Sequence, residues 1–142
     1  MILVDTSVWI DFFAGRNLPH VDVLEQCILD NEDLALCGII LTEILQGIAD
    51  DTTHRRVRRY LSPLIMLPMP ETVFVRAADI YRKLRKKGIT IRKSNDCIIA
   101  ATALEHHSQL LHNDKDFSPV PGEMLFKPVR EPDRDLGSEF SN

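Results

Sequence analysis

Short apolar runs alternate along the chain with segments whose apolar residues recur at helical spacing. The runs at 2–4, 34–37, 64–66 and 109–111 predict buried strands, and residues 123–126 predict a short fifth strand. The intervening segments predict helices at 8–13, 21–29, 41–48, 72–87 and from Ser94 to about His107, with one more after Asp51-Thr52-Thr53. Because strands alternate with helices, the pattern predicts a parallel sheet covered by helices on both faces.

The predicted fold class is therefore α/β, with three α/β/α layers around a central, mainly parallel sheet of four or five strands. The length of 142 residues fits one domain of ordinary size. We expect this domain to occupy residues 1–127 and a C-terminal tail to occupy residues 128–142. Because Gly137-Ser138-Glu139-Phe140 matches the translation of two adjacent cloning sites, we expect the end of the tail to be vector-derived.

Composition excludes several classes of protein. Hydrophobic residues make up 44% and charged residues 27% of the chain, which is typical of a globular domain rather than a disordered one. No apolar run approaches the roughly 18 residues that span a membrane, and the first residues, MILVD, lack the basic segment of a signal peptide. The three cysteines show no CxxC spacing, so we expect buried thiols, a cytoplasmic location and no membrane partner.

The net charge of −4 argues at first against a nucleic-acid partner, since such proteins usually carry a basic surface. The charge is unevenly distributed along the chain, however. Residues 54–93 hold twelve Lys and Arg but only two acidic residues, a net charge of +10, whereas the five basic and nineteen acidic residues elsewhere give −14. An acidic protein with one strongly basic segment remains compatible with a polyanionic partner.

Acidic residues lie near the predicted carboxyl ends of the strands, where parallel α/β sheets bind ligands. Asp5 follows the first strand, and Asp114 follows the fourth, with Asp116 two residues later. Glu43 and Asp96 are expected in the first turns of the helices that begin near residues 41 and 94. Each acid alone is explained by a helix cap, a helix dipole or a turn. Together they would repel one another, and a divalent cation removes this repulsion; oxygen ligands favour Mg²⁺ or Mn²⁺ over zinc.

Four motifs occur in the order MILVDTSVWIDFF, LTEILQG, SNDCIIAATA and LLHNDKDF. In this order and spacing they closely resemble the motifs of PIN-domain ribonucleases, and in particular those of the VapC toxins of prokaryotic toxin–antitoxin pairs. The resemblance runs from Ile2 to about Phe126 and implies a PIN-like fold. By position it assigns the acidic metal site to Asp5, Glu43, Asp96 and Asp114, the hydroxyl beside the first acid to Thr6 or Ser7, and an accessory acid to Asp116.

The resemblance also implies a chemistry and a set of partners. The four acids would bind Mg²⁺, with Mn²⁺ as an alternative, and support hydrolysis of RNA phosphodiester bonds. The implied protein is the toxin of a type II toxin–antitoxin system, an endoribonuclease acting on transfer or ribosomal RNA. Its implied partners are the RNA substrate, a VapB-type antitoxin that inhibits it, and a second copy in a homodimer or in a larger toxin–antitoxin assembly.

The basic segment offers candidate RNA contacts. Three arginines share one face of a predicted helix, and four further basic residues cluster around the end of the next helix: Arg55, Arg58, Arg59, Arg85, Lys86, Arg92 and Lys93. A basic rim beside an acidic metal centre would bind RNA phosphates without a net positive charge. The alternative is that these are solvated charges that compensate helix dipoles.

Other functions also gather acids at strand ends. A receiver-type phosphoacceptor domain requires adjacent acids after the first strand, where this chain has Asp5-Thr6-Ser7. A haloacid-dehalogenase-type phosphatase requires an acid at the position of Ser7. A PIN-like module that binds nucleic acid or protein without catalysis is expected to lack one of the four acids. Trp9, Phe12 and Phe13 are expected in the core, with a partner surface as the alternative.

Overall fold

The chain follows the order of strands and helices that its hydrophobic pattern predicts. The computed structural model describes residues 1–90 and 93–113. The strands are β1 Ile2–Val4, β2 Leu34–Leu36, β3 Ile65–Met66 and β4 Gln109–Leu111. The helices are α1 Thr6–Phe13, α2 Pro19–Leu29, α3 Gly38–Gln46, α4 Asp51–Leu61, α5 Glu71–Lys86 and α6 Ser94–Glu105. The predicted fifth strand and the predicted boundary between domain and tail lie outside the described residues.

The four strands of the described part form one parallel sheet in the order β3-β2-β1-β4. Ile2 lies opposite Leu34 on one side and Gln109 on the other, so β1 is a central strand. All residues of β1 and β2 are buried, as expected for strands with helices on both faces. After β3 the chain returns from the edge of the sheet to the far side of β1. This reversal creates a topological switch point between β1 and β4, where such sheets bind ligands.

Helices form a layer on each face of the sheet. α1 packs on α2 and α3, and α5 packs on α6. Parallel crossovers are right-handed in nearly all proteins, so the reversal after β3 places the α5–α6 pair on the face opposite to α1–α4. The prediction of three α/β/α layers is confirmed.

Helix α6 is the most deeply buried helix of the sheet's second face. Most of its residues are inaccessible to solvent, including Ala100, Ala101 and Ala103, whose small side chains let it pack closely against α5 and β4. The first turn of this buried helix carries Asp96, and helix packing therefore fixes the position of that carboxylate.

Neither α6 nor any other helix in residues 1–90 and 93–113 is long and apolar enough to cross a membrane.

An aromatic cluster joins α1 to α4. The Trp9 side chain is 0% exposed, and its ring stacks on that of Phe13 with centroids 5.7 Å apart. Phe12 and Tyr60 approach the same indole edge-on, at 5.9 and 6.4 Å. Phe12 and Phe13 are only partly buried. The core prediction is confirmed for Trp9, whereas Phe12 and Phe13 lie at the edge of the core.

The helices α1, α2 and α5 begin one or two residues before their predicted starts, and the starts of α3 and α4 differ in ways that change the role of single residues. α3 begins at Gly38 rather than near residue 41, and the extended residue Cys37 is its N-cap. Glu43 is therefore in the second turn, where the helix dipole no longer explains it. The N-cap of α4 is Asp50 rather than residues 51–53: its Oδ2 accepts hydrogen bonds from the amide and hydroxyl of Thr53, at 2.7 and 2.6 Å. These bonds hold the pKa of Asp50 below its ordinary value.

A cluster of charged and polar groups fixes the junction between α1 and α2. Asp11 accepts hydrogen bonds from the Arg16 guanidinium and from Nε2 of the buried His20, the latter at 2.6 Å. Burial alone would raise the pKa of Asp11, but these two bonds outweigh it and hold the pKa below its ordinary value of 3.8. The carboxylate form is therefore favoured in the folded chain.

We expect Asp11→Ala to lower the free energy of unfolding at pH 7 by about 2 kcal/mol, the usual value of hydrogen bonds to a charged group. Because the folded pKa is depressed, this contribution is present above the ordinary pKa and is lost as pH falls below about 4. Urea unfolding of both proteins from pH 7 to pH 3 measures the difference, which should shrink with acid. Asp79→Ala, at an exposed position on α5, is the control, and a constant difference across the pH range would contradict the assignment.

Candidate functional site

Asp5 lies at the switch point of the sheet. It directly follows β1, and its amide donates a 2.9 Å hydrogen bond to the carbonyl of Leu111 at the end of β4. Its side chain is almost completely buried, with the residue 4% exposed. The first predicted acid is thus held at the carboxyl edge of the sheet by two adjacent parallel strands.

The two hydroxyls that follow Asp5 position two different carboxylates. The Ser7 hydroxyl donates to Oδ2 of Asp5, and the Thr6 hydroxyl donates to Oε1 of Glu43, each at 2.9 Å. Asp5 is also the N-cap residue of α1, but within the described residues its carboxylate makes no capping hydrogen bond to that helix. The predicted residues therefore form two hydrogen-bonded pairs at the start of α1, Ser7 with Asp5 and Thr6 with Glu43, and the second pair joins α1 to α3.

Cys37 lies within electrostatic reach of both Asp5 and Glu43. This thiol directly follows β2, and extending the pairing of Leu3 with Ala35 by two residues places it beside Asp5. Burial raises the pKa of the Cys37 thiol above its ordinary value, and the negative charges of Asp5 and Glu43 add to the rise. Cys37 was not predicted as a site residue, although its place at the end of the second strand was the available signal.

Asp96 approaches from the other face of the sheet. It is the third residue of α6 and is 7% exposed, and α6 packs against α3, the helix that carries Glu43. The expectation that Asp96 lies in the first turn of its helix is confirmed. A nearly buried carboxylate at a helix start is consistent with a metal ligand, since buried charges in proteins are paired or coordinate metal ions.

We call the carboxyl edge of the sheet, with Asp5, Glu43 and Asp96, the acidic edge; its carboxylates are the type of donor that a hard divalent cation prefers. Asp5 and Asp96 are buried carboxylates and Glu43 a half-buried one, so the available donors are hard oxygens, which fit Mg²⁺ or Mn²⁺ rather than zinc. Within residues 1–90 and 93–113, no group of three or more His, Cys, Asp or Glu side chains could hold a metal by itself. The predicted ligand Asp114, the accessory Asp116 and the basic residue Arg92 lie outside the described residues.

Comparison with known proteins assigns the chain to a family. The sequence profile of the PIN domain matches residues 2–123. The chain belongs to the PIN domain family. This membership removes the receiver-type and haloacid-dehalogenase-type alternatives, and it confirms the resemblance that the four motifs carry.

Proteins similar to this PIN domain include a VapC ribonuclease and toxin–antitoxin complexes. The domain is 38% identical over 122 residues to ribonuclease VapC11 of Mycobacterium tuberculosis, covering 84% of this chain and 91% of that protein. A toxin–antitoxin complex from Klebsiella pneumoniae superimposes with a TM-score of 0.67 at 26% identity, over 86% of this chain and 94% of that one. The VapBC2 complex of Rickettsia felis, bound to a DNA fragment from its promoter, gives 0.70 at 21% identity, over 85% and 94%. The latter similarity shows the fold alone.

The predicted basic residues of this PIN domain are on its surface. Arg55, Arg58 and Arg59 are exposed on α4, Arg85 and Lys86 are exposed in the last turn of α5, and Lys93 is exposed at the N-cap of α6. Tyr81 and Arg82 of α5 line the same cavity as Ser94 of α6, so the last turns of α5 lie beside the start of α6. The basic end of α5 is therefore next to the first turn of α6, which carries Asp96.

Proposed function

We propose that this PIN domain is the toxin of a type II toxin–antitoxin system, a cytoplasmic, Mg²⁺-dependent endoribonuclease that hydrolyses phosphodiester bonds of transfer or ribosomal RNA. The observation that carries the proposal is the pair of carboxylates, Asp5 and Glu43, that the hydroxyls of Ser7 and Thr6 hold at the switch point of the sheet. The similarity to ribonuclease VapC11 of Mycobacterium tuberculosis supports the assignment of RNA as substrate.

The carboxylates have distinct roles in this proposal. Asp5 and Asp96 bind the metal ion, and Glu43 and Asp114 complete the site or orient the attacking water. When bound, Mg²⁺ or Mn²⁺ supplies Lewis-acid stabilisation of the phosphate and lowers the pKa of a water molecule. Ser7 fixes one oxygen of Asp5 by its hydrogen bond, and Thr6 fixes one oxygen of Glu43. Orienting partners of this kind reduce the freedom of ligand side chains before substrate arrives.

We assign RNA phosphate binding to the basic residues of α4, of the end of α5 and of the start of α6. Arginine and lysine neutralise phosphates without reading the sequence, so they provide affinity and the acidic edge provides chemistry. The acidic centre alone would repel RNA. A basic rim beside it resolves the conflict between the net charge of −4 and a polyanionic substrate.

The proposed protein partner is a VapB-type antitoxin that inhibits cleavage. The similar structure from Rickettsia felis is a VapBC2 complex, and the one from Klebsiella pneumoniae is a toxin–antitoxin complex. We further propose that the chain forms a homodimer, alone or within a larger toxin–antitoxin assembly. Size-exclusion chromatography with light scattering, with and without the antitoxin, measures both states.

Incubation of the purified chain with total RNA tests the proposed function. With Mg²⁺ or Mn²⁺ we expect discrete fragments whose ends map to transfer or ribosomal RNA, and with EDTA we expect none. Restoring the metal ion after EDTA should restore cleavage, which separates metal removal from irreversible damage. RNA that stays intact with either metal, while still bound, would identify the chain as a PIN-like binding module instead.

We expect Arg85→Ala to weaken RNA binding and to flatten its salt dependence. For single-stranded RNA, each lost phosphate contact lowers the slope of log K against log salt by about 0.7. Fluorescence anisotropy from about 50 to 200 mM salt measures this slope. Arg76→Ala removes the same charge from the same helix but from a residue that pairs with Glu105, so its slope should equal that of the unchanged protein. Equal slopes for all three proteins would exclude the end of α5 from the RNA surface.

A further inference from the structure

A cavity of about 330 Å³ lies between α5 and α6, outside the acidic cluster. Phe74, Ala78, Tyr81 and Arg82 line it from α5, and Ser94 and Ile98 line it from α6. Its size is at the lower end of the roughly 300–1,000 Å³ that small-molecule sites occupy. Its walls are almost entirely apolar, and the lining residues that carry polar groups are Tyr81, Arg82 and Ser94. This combination suits a flat, aromatic group with polar edges.

The cavity lies beside the helix start that carries Asp96. Ser94 and Ile98, four residues apart, share the face of α6 that lines the cavity, whereas Asp96 lies two residues from each and is on another face of the same turns. The cavity is therefore separate from the acidic residues but is next to the helix turn that holds one of them. Phe74 on the facing helix is 46% exposed, so the cavity has an aromatic ring at the surface of the protein.

The charge around the cavity matches a nucleic acid. Arg82 lies in the lining itself, and the exposed basic residues Lys83, Arg85 and Lys86 follow it in the last turn of α5. A nucleotide carries an aromatic base and an anionic phosphate on neighbouring positions. RNA-binding proteins commonly stack unpaired bases on aromatic rings or arginine and hold the backbone with cations.

We infer that this cavity receives one unpaired nucleobase of the RNA, beside the point of cleavage; the inference rests on the proposed ribonuclease function. Phe74 and Tyr81 provide the stacking surface, and Arg82 and Ser94 contact the polar edge of the base or its phosphate. A base inside a duplex is paired and stacked, and extracting it costs energy. The cavity therefore directs the enzyme to loops and single strands and makes these residues specificity determinants.

Two substitutions test the cavity without touching the acidic cluster. Phe74→Ala removes the more exposed ring, and Ala78→Leu fills the space from an exposed position on α5. Each should weaken binding of a short, unstructured, fluorescein-labelled RNA about tenfold, a typical effect for one stacked base. Phe74→Tyr should retain binding. Val75→Ala, at the neighbouring exposed residue outside the lining, is the matched control. Anisotropy measured in EDTA reports binding without cleavage.

A set of oligonucleotides with one abasic position each completes the test. At one position of the RNA, an abasic site should weaken binding to the unchanged protein as much as Phe74→Ala weakens binding of the intact RNA. The same abasic RNA should bind Phe74→Ala with little further loss of affinity. Unchanged binding by both variants, or effects that simply add at every abasic position, would overturn the inference. The inference would also be overturned if light scattering showed that either variant has a different oligomeric state from the unchanged protein. The cavity would then be part of a contact between protein chains. Metal-dependent cleavage by the unchanged protein is scored separately, so the cavity assignment can fail while the ribonuclease function holds.

Discussion

Asp5→Asn is expected to abolish RNA cleavage and to leave the chain folded. Loss of residues that merely orient metal ligands typically reduces activity about 10–100-fold, so loss of a direct ligand should exceed about 100-fold. Asparagine keeps an oxygen that can accept the Ser7 hydrogen bond, and the backbone bond to Leu111 does not involve the side chain. The substitution also removes a negative charge that lies near Glu43. In EDTA the free energy of unfolding should therefore be unchanged or slightly higher.

The measurement combines cleavage assays with thermal unfolding. Mg²⁺ should raise the melting temperature of the unchanged protein, because a ligand that binds only the folded state stabilises it, and this shift should disappear in Asp5→Asn. Asp22→Asn makes the same chemical change at an exposed position on α2 and should affect neither quantity. A folded Asp5→Asn protein that still cleaves RNA at the original rate would exclude this carboxylate from the site.

Trp9→Ala is expected to destabilise the domain far more than truncation of any exposed side chain. Replacing a buried tryptophan by alanine typically costs about 3–5 kcal/mol, a large part of the roughly 5–15 kcal/mol that stabilises a domain. The indole contacts Phe12, Phe13 and Tyr60, so its loss leaves a void between α1 and α4. Its Nε1 has no hydrogen-bond partner among the described residues, so the expected loss is one of packing alone.

Urea unfolding followed by circular dichroism measures this effect, because the chain contains a single tryptophan and the variant lacks it. Trp9→Phe keeps an aromatic ring and removes the buried N–H, so it should cost much less than Trp9→Ala. Ile10→Ala, at the neighbouring residue that is 41% exposed, should change stability by less than about 1 kcal/mol. A similar loss for Ile10→Ala and Trp9→Ala would show that the aromatic cluster contributes little.

Much of the fold follows from local pattern. Every strand and helix of the described part was predicted in its correct order, because apolar runs and helical spacing are properties of neighbouring residues. Errors occurred where neighbours compete for one role. Asp50 and Asp51 are equally suitable N-cap residues, and the spacing to the amide and hydroxyl of Thr53 selects Asp50. A glycine directly after an apolar run resembles the end of a strand. Gly38 is nevertheless the first residue of α3, because the extended residue Cys37 before it serves as the N-cap of that helix.

The residues of the candidate site in the described part could be named from the sequence, but the hydrogen bonds between them could not. Asp5, Thr6, Ser7 and Glu43 were all identified from motifs, yet the hydrogen bond between Thr6 and Glu43 joins residues 37 positions apart. Which hydroxyl serves which carboxylate depends on how α1 and α3 pack, and no local pattern contains that information. The same holds for Cys37, whose position beside Asp5 comes from strand pairing. The cavity between α5 and α6 likewise exists only once the two helices are packed.

The pairing of β1 with β4 makes the position of Asp5 depend on almost the whole described chain. During synthesis β1 is made first, but its second edge is covered, and the Asp5 amide reaches Leu111, only after residues 109–111 have been made. Pairings between such distant residues carry a large loop-closure cost and form slowly. A chain that ends before β4 therefore contains Asp5, Glu43 and Asp96 but lacks the strand that holds Asp5 at the carboxyl edge of the sheet.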